Sequence, residues 1–357
     1  MKAVAVNPAK KTLDLIDAPP PEIGGKTEVR LKILETGICG TDREICQFDY
    51  GTPPDGSDYL ILGHESLGEV VETGSAVKGF KVGDLAVPTV RRVCPGCVSC
   101  DNDESDMCFT GNFKERGIGG LHGYMSEMVV EDESNMVNIP HELRPSAVLL
   151  EPLSITMKAL AQIDSIQRRM QWKGRRALVF GAGPIGTLAA LAFVNRGYKT
   201  WIYSRIHENG MAKPLMEQVG VGMISSFDYD VDGLLSGFGE FDIILEATGA
   251  SQTAFEMIKT LALNGIYVFT GIPGKQQLFS FNGTEAMRSI VLKNQILVGT
   301  VNSNLSAFED GKANLLDFEN KFPGVTPNLI TQRVSYDEVI PHLLERKKGE
   351  IKTILSW

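Results

Sequence analysis

The stretch that most constrains this 357-residue chain is Gly181-Ala182-Gly183-Pro184-Ile185-Gly186, set between two apolar segments. Residues 176–180 read as a buried strand and 185–195 as an apolar helix, so the glycines occupy the turn between them. They meet three steric demands. Gly181 permits a tight turn, Gly183 lets the backbone approach a pyrophosphate, and Gly186 allows helix and strand to pack closely. The helix N-terminus adds free amides and partial positive charge for phosphate groups. In a chain with 37 glycines the bare pattern is weak, and its place between strand and helix is what carries it. Further strands are expected at 200–203, 222–225, 242–246, 266–270 and 296–301. Helix-length segments separate several of them, the signature of a doubly wound parallel sheet in an α/β fold.

The end of the second strand decides between two dinucleotides. A carboxylate there would bind the ribose hydroxyls of NAD. Instead Ser204-Arg205 follows residues 201–203, and the first carboxylate is Glu208. Ser204 can hydrogen-bond a 2′-phosphate, and Arg205 offers it a planar charged fork, which favours NADP while leaving NAD open. Thr270-Gly271-Ile272 and Thr300-Val301-Asn302 end later strands, the edge where open α/β sheets bind ligands.

The first third differs: short strands at 29–33, 67–71 and 85–90, punctuated by Gly and Pro, indicate a β-rich lobe. Cys94, Cys97, Cys100 and Cys108 fall in one loop, separated by two, two and seven residues. Four thiolates close a tetrahedral shell around zinc and leave no open position, so this is a structural site. Redox pairs or a disulfide loop are the alternatives, and a disulfide sits badly with a large chain lacking a secretory leader. A second constellation is mixed: Cys39, His64 and Glu65, with Glu151 as a further candidate. One Cys, one His and carboxylates suit a catalytic zinc that keeps a position for water or substrate. Each residue alone also reads as a core thiol, a hydrogen-bonded histidine or a solvated charge. Cys46 reads as core.

A net charge of −9 argues against a nucleic-acid partner, which needs clustered basic residues. Apolar stretches such as 188–194 are far too short to span a bilayer, and the N-terminus carries no secretory pattern, so a cytoplasmic protein is expected. Arg168-Arg169, Arg175-Arg176 and Arg346-Lys347-Lys348 read as solvated faces. After residue 302 the alternation stops; helix, loop and one final strand are expected there.

Gly63-His64-Glu65, followed by Gly68, Val71, Gly74, Val77, Gly83-Asp84 and the cysteine loop, resembles the zinc-containing medium-chain alcohol and polyol dehydrogenases over essentially the whole chain. Within them, Cys39 to Ile45, Glu151-Pro152-Leu153-Ser154 and Gly299-Thr300-Val301-Asn302 resemble archaeal-type glucose 1-dehydrogenases. Glu44 stands where many polyol dehydrogenases have His, which favours that branch. Ile155 departs from the Asp some members carry. The resemblance implies a GroES-like β-rich catalytic domain (1–155 and 303–357) with a Rossmann coenzyme domain (156–302) inserted. It implies two zincs per chain, one held by the four cysteines. The other would be held by Cys39, His64 and Glu65, with Glu151 entering the shell or contacting sugar. Thr41 would touch the substrate hydroxyl and start the proton relay, while Glu65 or Glu151 would accept a proton from zinc-bound water. Glu115 and Asn302 would bind sugar hydroxyls. Gly181, Gly183, Pro184, Ile185, Gly186, Ser204, Arg205, Thr270, Gly271, Ile272, Thr300, Val301 and Asn302 would hold NADP or NAD. The implied reaction is oxidation of D-glucose, and of related aldoses, at C1 by a dimeric or tetrameric enzyme. Sorbitol, galactose, xylose or threonine oxidation is the alternative. A catalytically silent nucleotide-binding protein is a third reading, against which the intact Cys39, His64 and Glu65 speak.

Overall fold

The computed structural model describes residues 1–205, 210–274 and 277–357; Glu208 lies outside them. The strand–turn–helix around Gly181 forms as expected, with strand Arg176–Phe180 leading into helix Pro184–Asn195. Pro184 occupies the first turn, where its missing N–H costs nothing. Gly181 adopts φ +118°, and a Cβ on Gly186 would lie 2.0 Å from the Gly181 carbonyl oxygen. Both positions therefore need glycine for steric reasons.

Six parallel strands form the sheet in the order Gly222–Ser225, Lys199–Ser204, Arg176–Phe180, Phe241–Glu246, Leu261–Phe269, Ile296–Gly299. The order reverses beside Arg176–Phe180, which opens a crevice at the strand C-terminal ends. The last strand stops at Gly299 rather than 301, and the one before it begins at Leu261 rather than 266.

A second sheet carries strands Met136–Ile139, Leu85–Pro88, Glu65–Thr73, Glu28–Gly37, Lys352–Ser356 and Ile330–Val334 in that order, and Met128–Asp132 also pairs with Glu28–Gly37. The chain's end thus returns to the N-terminal lobe, with Ile354 opposite Gly37. Two strands form there, not one, because Ile330–Val334 pairs parallel with Lys352–Ser356. Several elements had no expectation, among them the hairpin of Lys2–Asn7 and Thr12–Asp17, the helix Gly40–Cys46 and the strands Met128–Asp132 and Met136–Ile139. The helix begins on Cys39, whose backbone N–H donates to Asp42 Oδ2 at 2.8 Å.

Helix Leu150–Gln167 joins the two sheets. One apolar cluster runs from Leu67, Leu85 and Val137 through Leu150, Leu153 and Leu160 to Leu188 and Ile243. Gly311 of helix Leu305–Lys321 lets Leu150 pack closely, since a Cβ there would lie 2.7 Å from Leu150 Cδ1. Among the described residues no helix is long and apolar enough to cross a membrane.

Candidate active site

The crevice holds a cavity of about 870 Å³ lined by Gly181, Ala182, Gly183, Ser204 and Arg205, so the turn and the second-strand end share one space. Its far wall comes from the C-terminal return: Arg346, Lys347 and Lys348 line it too. Reading that run only as a solvated face was incomplete. The three side chains are exposed, but they face the nucleotide cavity, because the chain end folds back beside the crevice. The Arg346 guanidinium is the nearest group to where a Cβ on Gly183 would stand, at 3.8 Å. With Arg205 and Lys213 these make five cationic side chains around the space, against Asp230, Glu256 and Glu350.

Pro184, Ile185, Gly186 and the segments 270–272 and 300–302 do not line this cavity. Buried Glu246, at the end of its strand, organises part of that edge. Its Oε1 accepts from the backbone N–H groups of Thr248 and Gly249, the latter at 2.8 Å, and from the Thr248 hydroxyl. Its Oε2 accepts from Gly271 N–H at 3.2 Å, while Thr270 Oγ1 donates to the Glu246 carbonyl. No expectation had singled out Glu246; the sequence signal was a carboxylate closing the apolar run Ile243-Ile244-Leu245. Ile272 is exposed, and Thr300 Oγ1 is buried without a hydrogen-bond partner.

Cys39, His64 and Glu65 converge, with one ligand atom from each lying within 4.8 Å of the others. Cys39 caps a helix, while His64 precedes and Glu65 opens the Glu65–Thr73 strand that pairs with Gly37. His64 Nδ1 faces Asp42 Oδ1 at 3.4 Å, which leaves the opposite ring nitrogen for a ligand. Burial alone pushes His64 down and Asp42 up, but their mutual attraction overcomes it. His64 is held well above its usual value and Asp42 below. Glu65 is ion-paired with buried Lys352, whose Nζ also donates to the Ile38 carbonyl at 3.1 Å. Gly37 makes room for this pair, since a Cβ would strike Glu65 Oε2. Glu151, in the first turn of its helix, stands beside this trio rather than within it. Burial, then the Glu65 charge, pushes it up to about 8. So acidic a buried cluster, with Lys352 its buried cation, fits a divalent ion and leaves a position open. Thr41 is half-buried on helix Gly40–Cys46.

Glu115 and Asn302, 187 residues apart, meet directly: Asn302 Nδ2 donates to Glu115 Oε1 at 2.8 Å. Arg91 Nε and Nη2 donate to the same oxygen at 3.1 and 2.9 Å. The other carboxylate oxygen accepts no hydrogen bond among the described residues. Asn302 has φ +59°, a left-handed conformation that asparagine tolerates.

The four-cysteine loop closes on itself. Cys94 Sγ lies 3.7 Å from Cys100 Sγ and 3.6 Å from Cys108 Sγ, and Cys97 lies 3.9 Å from Cys108. Zinc–sulfur bonds of about 2.3 Å in a tetrahedron put sulfurs about 3.8 Å apart, so the quartet fits zinc closely. Cys46 is buried in an apolar cluster, and burial pushes its thiol up to about 12.

Residues 25–141 match the family described as the alcohol dehydrogenase GroES-like domain, and residues 144–357 match the glucose dehydrogenase C-terminus. The chain is 40% identical over 358 residues to the glucose 1-dehydrogenase of Methanocella arvoryzae, covering 100% of this chain and 99% of that one. It is 38% identical to the glucose 1-dehydrogenase of Thermoproteus tenax, covering 94% and 93%. A glucose dehydrogenase of Haloferax mediterranei, solved with NADP, zinc and gluconolactone, superposes with a TM-score of 0.91 at 31% identity, covering 100% and 99%.

Proposed function

We propose that this chain, which belongs to the zinc-containing medium-chain dehydrogenases and within them to the glucose dehydrogenase family, oxidises D-glucose at C1 to gluconolactone and passes the hydride to NADP. One observation carries the reading: the Cys39–His64–Glu65 trio stays open while the four-thiol site is closed, so only the former leaves room for substrate.

Cys39, His64 and Glu65 would hold the catalytic zinc, with Glu151 able to enter. When bound, zinc supplies a Lewis acid that stabilises the sugar alkoxide near neutral pH. Asp42 orients the His64 ring. Thr41 touches the C1 hydroxyl and starts its proton relay. Glu115 accepts a hydroxyl hydrogen bond while Asn302, held in place by it, presents its own polar group; such pairing discriminates sugars better than an apolar slot. Gly181 and Gly183, at the start of the helix beginning Pro184-Ile185-Gly186, carry the pyrophosphate, faced by Arg346. Ser204 and Arg205 take the 2′-phosphate. Thr270, Gly271, Ile272, Thr300 and Val301 line the nicotinamide.

We divide the chain into a catalytic domain of 1–155 and 303–357 and a coenzyme domain of 156–302, because the second sheet draws strands from both ends of the chain. We place it in the cytoplasm, where ligand thiols stay reduced. We also assign it to homodimers or tetramers. The parallel sheet ends on strand Ile296–Gly299, and Met287, Val291 and Leu292 of the neighbouring helix are exposed.

The test is NADP reduction by the purified protein across glucose, galactose, xylose, sorbitol and threonine, with metal counted in the same sample. Two zincs and preferential glucose turnover are expected. Sorbitol or threonine turnover without glucose turnover would overturn the reading.

A further inference from the structure

We propose that the four-cysteine loop positions the sugar-recognition pair through Lys158 and Arg91, making it a determinant of substrate recognition as well as a brace for the fold; this rests on Glu115 and Asn302 being that pair. Lys158 is 5% exposed, in the middle of helix Leu150–Gln167. Its Nζ lies 2.9 Å from Asp106 Oδ2, two residues before Cys108, and donates to the Val301 carbonyl at 2.7 Å. One ammonium therefore ties the cysteine loop to the residue preceding Asn302. Arg91 makes a second tie. Its Nη1 donates to the carbonyls of Ser105 and Asp106, both at 3.3 Å, while Nε and Nη2 hold Glu115. A third runs from Asn304 Nδ2 to the Asp103 carbonyl at 3.2 Å.

The loop thus grips both members of the pair, Glu115 through Arg91 and Asn302 through Lys158. Stability alone accounts poorly for this arrangement. A buried ion pair adds little over an apolar pair of the same volume, yet it fixes geometry. Here the geometry also costs something, since Asp106 Oδ1 is buried without a hydrogen-bond partner. The Glu115–Asn302 hydrogen bond joins two segments 187 residues apart, and neither segment is held at that spacing by its own sheet. Lys158 and Arg91 are positioning residues; neither needs to touch sugar.

The experiment uses Asp106→Asn, Lys158→Met and the double variant in the full-length, zinc-loaded enzyme. The KM for glucose, the KM for NADP and kcat are measured, with each Asp106 comparison repeated in an Asn302→Ala background. Wild-type turnover of glucose is measured first. If wild type oxidises no aldose, the substrate reading falls; if it does, the variants test the latch alone. The expected result is a glucose KM raised about ten-fold, with NADP KM within two-fold and both zincs retained. The double variant should be no worse than the worse single one, and Asp106→Asn should have no further effect once the Asn302 side chain is removed. A glucose KM unchanged in both singles, sugar and cofactor KM rising together, or an Asp106 effect persisting without the Asn302 side chain would each overturn the proposal. Asp106→Asn keeps side-chain size and carries the test alone if Lys158→Met does not fold.

Discussion

Cofactor choice provides the sharpest quantitative test, through the pair Ser204→Asp and Arg205→Ala. Ser204 closes its strand and Arg205 follows it, both facing the nucleotide cavity. Removing one charge-assisted hydrogen bond to a 2′-phosphate costs about 1.5–3 kcal/mol, or roughly ten- to hundred-fold in kcat/KM for NADP. A carboxylate at 204 adds repulsion: two unit charges about 4 Å apart at an effective dielectric near 20 interact by about 4 kcal/mol. Lys213, Arg346, Lys347 and Lys348 remain in the wall and offset part of that. A combined loss of about 4 kcal/mol is therefore expected for NADP, close to a thousand-fold. NAD should improve several-fold, because the new carboxylate can take the ribose hydroxyls. The assay is kcat/KM for each cofactor at saturating glucose and at two ionic strengths, and the NADP penalty should shrink at high salt. An NADP-to-NAD ratio that moves less than about three-fold would refute the placement of the 2′-phosphate beside Ser204 and Arg205.

Four further outcomes are expected. Cys100→Ser should lose one zinc per chain and lower the Tm while the second zinc stays, read by metal analysis and thermal unfolding; loss of neither metal would contradict the closed site. Glu115→Ala should raise the glucose KM by about ten-fold or more with little change in NADP KM, measured by initial rates. Burial pushes Glu131 up, but Arg116 and Arg92 beside it overcome this and hold it below its ordinary value of 4.5. Its stabilisation is therefore present above that value and lost as pH falls through the folded one, so Glu131→Gln should be less stable at neutral pH and show a flatter acid limb in urea titrations. Val291→Asp, on the exposed face beside the last strand, should reduce the assembly size by light scattering; an unchanged mass would place the interface elsewhere.

What the residues alone could determine was local chemistry. Gly181, Gly183 and Gly186 announce their turn because each answers a steric demand within six residues. The cysteine quartet announces its shell because all four ligands fall within fifteen residues. Strand interiors such as 176–180 and 222–225 were legible to the residue, since short, largely apolar runs bounded by turn residues need no partner to be recognised. Strand ends were not: Glu28 and Gly37 belong to their strand only because neighbouring strands hydrogen-bond to them. The helix at Gly40–Cys46 was missed because seven residues, polar and apolar mixed, carry no readable period.

Tertiary structure decided everything that joins distant segments. Composition marks Arg346-Lys347-Lys348 as a solvated run, and only the return of strand Lys352–Ser356 onto Glu28–Gly37 brings it to the nucleotide cavity. The resemblance singled out Glu115 and Asn302 separately, but their meeting, and the grip of the cysteine loop on both, depends on three segments converging. Motif spacing records which atoms can share a ligand when the chain between them is short. Where it is long, loop closure and sheet register set the distance, and no local pattern encodes them.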